Sequence, residues 1–547
     1  MIRRLCALDR ATLLAGALSL ALTAPAASAP PRIGNNVRVN APQLPSPAGQ
    51  LGRAGYAVAS SADSREILVG WDDIQGMCGP PMGRACPAPS PPGLSGIAFS
   101  VDGGRTWTDL GAPPTTAGFM TGGHTWIDRG GADNQTFFVI SRARKLDDPS
   151  PLGQIGFVLN RGRFENGTFV WKDSQYLGPA KQGDLWRGPT VSAAKDGSGR
   201  VYVGLSNSRT MCGQATSGSG QIELLRSNDG GTTWEGPVVV SRDETYETFA
   251  KDPQCGARGR FQASPTTALG PFGEIYVTWQ YGPPFQVYFD PISQETPPTV
   301  AFGFSRSLDG GQTFSLPRAL ANVSSLAENG PAGFTKDVMN DTPRITVAQS
   351  GPHRGRIYVT YAASVREVYC ASFLYGPKEY SPASSQVWLT WSDDRGETWS
   401  PPAPLGPPLP AAGVKRFFPT VAAGPDGTVD VIYFESRETQ RTADPGDLEC
   451  PTTTNFGYFK KGRARSLVDL WWTRSIDGGE IFSPRARVTS ETSDWCAAQF
   501  DYGGVLFGNF GDFLGLFPGA GRTFAVWTDG RTGVPDTYFT TLGGPTR

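Results

Sequence analysis

Seven short apolar runs recur along this chain, each rich in β-branched and aromatic side chains. They are 67–71, 137–140, 201–205, 275–279, 357–361, 431–434 and 524–527. Runs this short, bounded by Gly, Pro, Asp and Asn, read as buried strands. A further apolar run, 96–99, 222–225, 301–304, 387–390 or 470–473, precedes each copy of a polar pattern found five times. The pattern is Ser-x-Asp-x-Gly-x-Thr-Trp, with swaps tolerated at the last two positions. Its copies span 100–107, 227–234, 307–314, 392–399 and 475–482. The aspartates Asp102, Asp229, Asp309, Asp394 and Asp477 can bond nearby backbone donors, and the glycines can take the positive φ of a tight turn. The pattern therefore predicts a strand, a turn and a returning strand, with the closing aromatic pinning the turn.

The copies are evenly spaced except for the first gap. That gap holds a degenerate copy, 160–169, after the apolar run 155–159. Three strands per unit are visible, and a fourth follows the turn. Four-stranded sheets repeated radially are the blades of a β-propeller. The fold class expected is all-β, with seven blades, or six if a terminal unit is only a cap. The last unit runs out of chain at its third strand, 536–541. The segment 36–40 can pair there as the outer strand, closing the ring and hiding its edges.

Composition refines this picture. The 69 glycines and 47 prolines suit a turn-dense chain. The net charge of −1 argues against a nucleic-acid partner. Arg3 and Arg4, the apolar stretch 13–22 and Ala27-Ser-Ala29 read as a cleavable export signal over 1–29, leaving one propeller domain over 30–547. No later segment is apolar enough to span a bilayer, and a secreted or periplasmic monomer is expected. Export permits disulfides. Cys78 with Cys86, Cys212 with Cys255, and Cys370 with Cys450 are candidate pairs, which would leave Cys496 over; connectivity is not fixed by sequence. With no Cys-x-x-Cys spacing and two histidines, neither a metal nor another cofactor is expected.

In a propeller, ligands meet the loops at one end of the central channel. The residues just past the second strands are therefore informative, as are those entering the first strands. Asp73, Glu435, Arg437 and Arg531 are the catalytic candidates; Asp72 stands beside the first of them. His124, Arg142, Arg187, Arg260, Tyr281 and Asp529 are the substrate-binding candidates. Arginine forks bind carboxylates, and paired carboxylates can do acid/base work at a glycosidic bond. The opposite charges in Glu435-Ser-Arg437 and Asp529-Gly-Arg531 can equally brace a loop. His124 reads as a base or as a structural residue of a Gly-rich loop. The segment 494–502 reads as an insertion able to cover the channel.

On its five repeated turns the chain resembles the Asp-box (BNR-repeat) propellers of the sialidase-like superfamily. The resemblance covers most of the chain after the signal. It implies a structural role for Asp102, Asp229, Asp309, Asp394 and Asp477 and, among sialidases, three arginines on a sugar carboxylate. The arginine motif of sialidases has only a partial match at Pro31-Arg32-Ile33-Gly34, and no tyrosine matches their nucleophile. The function expected is an exo-glycosidase acting on terminal acidic sugars of extracellular glycans or glycoproteins. The alternative is a non-catalytic propeller that binds glycan or protein. A third reading is a polyanion lyase using His124.

Overall fold

In the computed structural model, the described residues are 32–42, 52–73, 93–116, 118–145, 156–179, 184–209, 220–241, 260–284, 299–324, 342–366, 384–408, 413–438, 465–498, 500–502, 505–507, 511 and 513–543. They form seven four-stranded antiparallel blades around a channel. Blade 1 comprises Arg53–Ser60, Ile67–Asp73, Ser95–Ser100 and Thr108–Gly111. Blade 2 comprises Trp126–Gly130, Thr136–Lys145, Phe157–Glu165 and Thr168–Leu177. Blades 3, 4, 5 and 6 begin with the inner strands Asp184–Ala193, Arg260–Leu269, Arg344–Val347 and Val414–Ala423. Blade 7 begins with Gly515–Gly519, continues through Arg522–Asp529 and Asp536–Leu542, and takes Val37–Arg38 as its outer strand.

That last pairing closes the ring as the sequence suggests. Val37 faces Phe539 and Arg38 faces Tyr538. Asn40 fixes the junction: its amide donates to Asp536 at 2.9 Å, and its oxygen accepts from the Thr537 backbone at 2.7 Å. The seven apolar runs are the second strands, buried between neighbouring blades; Trp71, Trp279 and Trp527 are among the fully buried side chains.

The repeated turns fold alike. Ser100 donates to Asp102 at 2.8 Å and accepts from the Gly104 amide at 2.9 Å. Asp102 also accepts from the Arg105 and Thr106 amides and, at 2.6 Å, from the Thr106 hydroxyl. The second glycine abuts the preceding blade. A Cβ on Gly104 would stand 2.1 Å from the Phe539 ring of blade 7, and one on Gly396 would stand 2.4 Å from the Phe304 ring of blade 4. Trp107 and Trp399 continue these contacts, edge-on to Phe539 at 5.0 Å and to Phe304 at 5.1 Å. The turn is thus a clasp between blades as well as a hairpin. Blade 2 uses an Asn166-Gly167 turn, with φ of 51° and 76°; a Cβ on Gly167 would meet nothing within 4 Å, and the blade meets blade 1 through Phe164 instead, edge-on to Phe99 at 5.9 Å.

One reading is corrected. Cys496 is disulfide-bonded rather than left over; Cys78, Cys86, Cys212, Cys255, Cys370 and Cys450 lie outside the described residues. The beginning of the 494–502 segment packs on blade 6. Trp495 is fully buried against Phe417 and Phe434 of blade 6, with ring centroids 5.6 and 5.3 Å away. No helix among the described residues is long and apolar enough to cross a membrane.

Candidate functional site

The carboxylates nominated at the strand ends sit in braces. Asp73 is buried opposite Arg53 in the strand register, with Arg53 Nε 3.3 Å from its Oδ2. Glu435 is buried and holds three guanidinium groups. Its cross-strand partner Arg416 lies at 3.0 Å and Arg437 at 3.0 Å, and Arg485 closes a third ion pair. Burial pushes the Glu435 carboxyl up, but the bonds and charges of Arg485 and Arg416 outweigh it and hold the group below its ordinary value. Asp529 accepts from Trp527 Nε1 at 2.9 Å and from Arg531 at 2.6 Å. Arg531 also donates to Ser490 and to Asn36, so it ties the N-terminal segment to the ring. The structure therefore gathers Glu435 with Arg437, and Asp529 with Arg531, in separate packing clusters rather than in one pocket.

The binding candidates are spread around the ring. Arg142 is half-buried on the second strand of blade 2, its backbone bonded to Gly122 and Gly123. Arg187 is half-buried on blade 3, and burial pushes its guanidinium below the ordinary arginine value. Arg260 opens the inner strand of blade 4, and Tyr281 packs partly buried against the Trp279 cluster. His124 takes a φ of 53° and points its ring edge-on to Phe513 at 6.4 Å.

That last contact leads to the most unusual feature of the channel. Tyr56 of blade 1, Trp126 of blade 2 and Phe513 beside blade 7 touch one another, with centroids 5.5–6.2 Å apart. Arg344 starts the inner strand of blade 5. Its guanidinium lies 4.4 Å from the Trp126 centroid and 5.3 Å from that of Phe513, so it reaches across the channel to the aromatic layer. Nη1 of Arg344 is buried without a hydrogen-bond partner, and no carboxylate among the described residues pairs with this side chain. Burial pushes its guanidinium down to about 9, with the Tyr56 phenol opposing the shift. At neutral pH the group remains a cation. The side chain as a whole is half-buried, and a cation whose donor is buried and orphaned is costly unless an anion meets it.

Tyr56 adds polar chemistry to the layer. Its hydroxyl donates to Asp72 Oδ1 at 3.1 Å, and the same oxygen accepts from the Thr125 amide at 3.4 Å. Below the layer lies a cavity of about 680 Å³, lined by Tyr56, Trp126, Arg344 and hydroxyl-bearing residues of the inner strands. That size falls in the roughly 300–1,000 Å³ range of small-molecule sites.

A sequence signal for Arg344 exists. The inner strands of blades 3, 4 and 6 carry Gly188-Pro-Thr190, Ser264-Pro-Thr266 and Phe418-Pro-Thr420. Gly188, Ser264 and Phe418 all take a positive φ, and the threonines line the channel. Blade 5 reads Thr342-Pro-Arg344 at the same place. A long cation thus replaces a short, buried hydroxyl at the matching register place of the inner strand. The strand-end residues gave no such warning, and neither Arg344 nor Tyr56 was among the candidates.

No family model and no curated protein matches the chain. Among solved structures it is similar to a mutant α-L-arabinofuranosidase of Fusarium graminearum in complex with an iminosugar inhibitor. The identity is 14%, the TM-score is 0.42, and 73% of this chain and 92% of that one are covered. It is similar to Trypanosoma rangeli sialidase in complex with the inhibitor DANA at 13% identity, covering 71% of this chain and 54% of that one, with a TM-score of 0.37. It is also similar to YCF48 bound to D1 peptide, at 11% identity over 94% and 97% of the two chains, with a TM-score of 0.35. At such values these likenesses carry no weight for the chemistry of this chain.

Proposed function

We propose that this chain is an exported propeller that recognises the terminal acidic sugar of an extracellular glycan in its central channel. The observation that carries this reading is Arg344, a channel-facing cation with a buried, unpartnered Nη1 held against Trp126 and Phe513. A sugar carboxylate would satisfy that donor, and aromatic faces suit the apolar face of a sugar ring. The strand-end candidates Asp73, Glu435, Asp529 and Arg531 serve the framework in this reading. Mature protein titrated with N-acetylneuraminate and glucuronate should bind at least one of them. Binding of neutral galactose alone would contradict the proposal.

Exo-glycosidase turnover is a second reading, favoured by the Tyr56–Asp72 pair beside the same arginine. A phenol bonded to a carboxylate is a group able to pass a proton or attack a sugar carbon. The test is hydrolysis of fluorogenic sialosides and glucuronides. Turnover that falls at least about a hundredfold in Asp72→Asn supports the reading; full turnover in that variant contradicts it.

A further inference from the structure

Granting that Arg344 binds a sugar carboxylate, we infer that the ligand enters from the turn face of the ring. This is the end where the first strand of each blade turns into the second, opposite the end carrying Asp73, Glu435 and Asp529. The site would then take a small, detached acidic sugar or a single chain end, held inside the channel. Three observations support this route.

The first is the reach of the cavity. From Arg344, Tyr56 and Trp126 its lining continues to Ala62, Pro271 and Ala520, all of which belong to first-to-second-strand turns. The second is the layer itself. Four side chains from blades 1, 2 and 5 and the approach to blade 7 pack ring against ring and cation against ring across the channel. The strand-end residues Asp73, Glu435 and Asp529 do not line the cavity beneath it.

The third is charge. Five cationic side chains line the cavity, namely Arg129, Lys195, Arg200, Arg344 and Arg354, against the three acidic groups Asp128, Asp196 and Glu274. Lys195 is paired with Asp128 at 2.9 Å and Arg200 with Asp196 at 2.6 Å, both toward the turn face. Arg354 lies exposed at the mouth over Phe272, 4.5 Å from its centroid. An entering carboxylate therefore passes a cation at the mouth and meets another at the end, and a net positive lining raises the local concentration of anions.

The test narrows the mouth with Ala62→Phe/Ala520→Phe, which alters two exposed turn residues and leaves the aromatic layer intact. One arm needs no sugar. Iodide quenching of Trp126 fluorescence, taken as the difference between wild type and Trp126→Phe, should fall at least about threefold when the mouth is narrowed. The other arm is calorimetric binding of glucuronate and N-acetylneuraminate, which should weaken at least about tenfold in the same variant. Unchanged quenching together with unchanged binding would overturn the turn-face route. If Arg344→Ala binds both acids as wild type does, or wild type binds neither, the carboxylate reading fails. The iodide arm then still decides which face admits an anion. Circular dichroism melting of the double variant guards against misfolding, and the single variants Ala62→Phe and Ala520→Phe repeat both arms if it melts early.

Discussion

Residue chemistry separates two kinds of charged group in this molecule. Some charges are spent on the framework. Glu435 is the clearest case, a buried carboxylate shared by Arg416, Arg437 and Arg485. Removing its charge strands Arg416 and Arg485 in the interior, so Glu435→Gln should destabilise the fold by about 3–5 kcal/mol in urea unfolding. A variant that unfolds at the wild-type midpoint would show that the cluster is solvated rather than structural. Arg344 is the opposite case, a cation whose donor has nothing to hold. This contrast was only half legible in the sequence. The pairs Glu435-Ser-Arg437 and Asp529-Gly-Arg531 were open to a brace or a site, because a strand end does not reveal which way its side chains face. Arg344 stood out only against the threonines at the matching places of other blades, a comparison that needs the register of the inner strands.

At the scale of the element, the repeated turn was readable from sequence because it is local: its serine, aspartate and threonine bond backbone within a few residues. Its second role was not readable, since the contact of Gly104 with Phe539 joins opposite ends of the chain. The fifth copy offers a direct check. Ile481 stands where three other copies place a threonine hydroxyl 2.6 Å from the aspartate, and it is largely exposed. Ile481→Thr should restore that bond to Asp477 and stabilise the protein by about 0.5–1 kcal/mol, read from the urea midpoint.

Acid sensitivity follows from the same turns. Burial pushes the carboxyls of Asp102, Asp309 and Asp394 up, but threonine, serine and backbone donors outweigh it and hold them at about 2, below the ordinary 3.8. A carboxyl with a depressed folded pKa stabilises the fold fully above its unfolded value and ceases to do so as the pH falls through the folded one. The urea midpoint should therefore drop between about pH 4 and pH 2. The drop should be smaller in Asp102→Asn, which cannot lose that proton-linked contribution. An equal drop in the variant would contradict the assignment.

For the whole molecule, closure of the ring is the decisive event. The outer strand of blade 7 comes from the start of the chain, with Arg531, Asn36 and Asn40 bolting it down. Deleting residues 32–40 should expose the edge of Asp536–Leu542. The expected result is a lower melting midpoint and concentration-dependent association in gel filtration. A truncated chain that melts and elutes like wild type would show that closure contributes little. The blade count and this closure were both foreseen, because repeat spacing and a missing last strand are properties of the chain as a string. The channel was not, because it is made of seven inner strands that meet only after the ring has closed.

The most direct test of the central claim is calorimetric titration of N-acetylneuraminate and glucuronate into the mature protein, beside Arg344→Ala and Arg344→Lys. Binding of an acidic sugar should weaken at least about tenfold in Arg344→Ala and be partly kept in Arg344→Lys, as expected for a carboxylate held by a guanidinium fork. Equal binding by wild type and Arg344→Ala, or none by wild type, would contradict it.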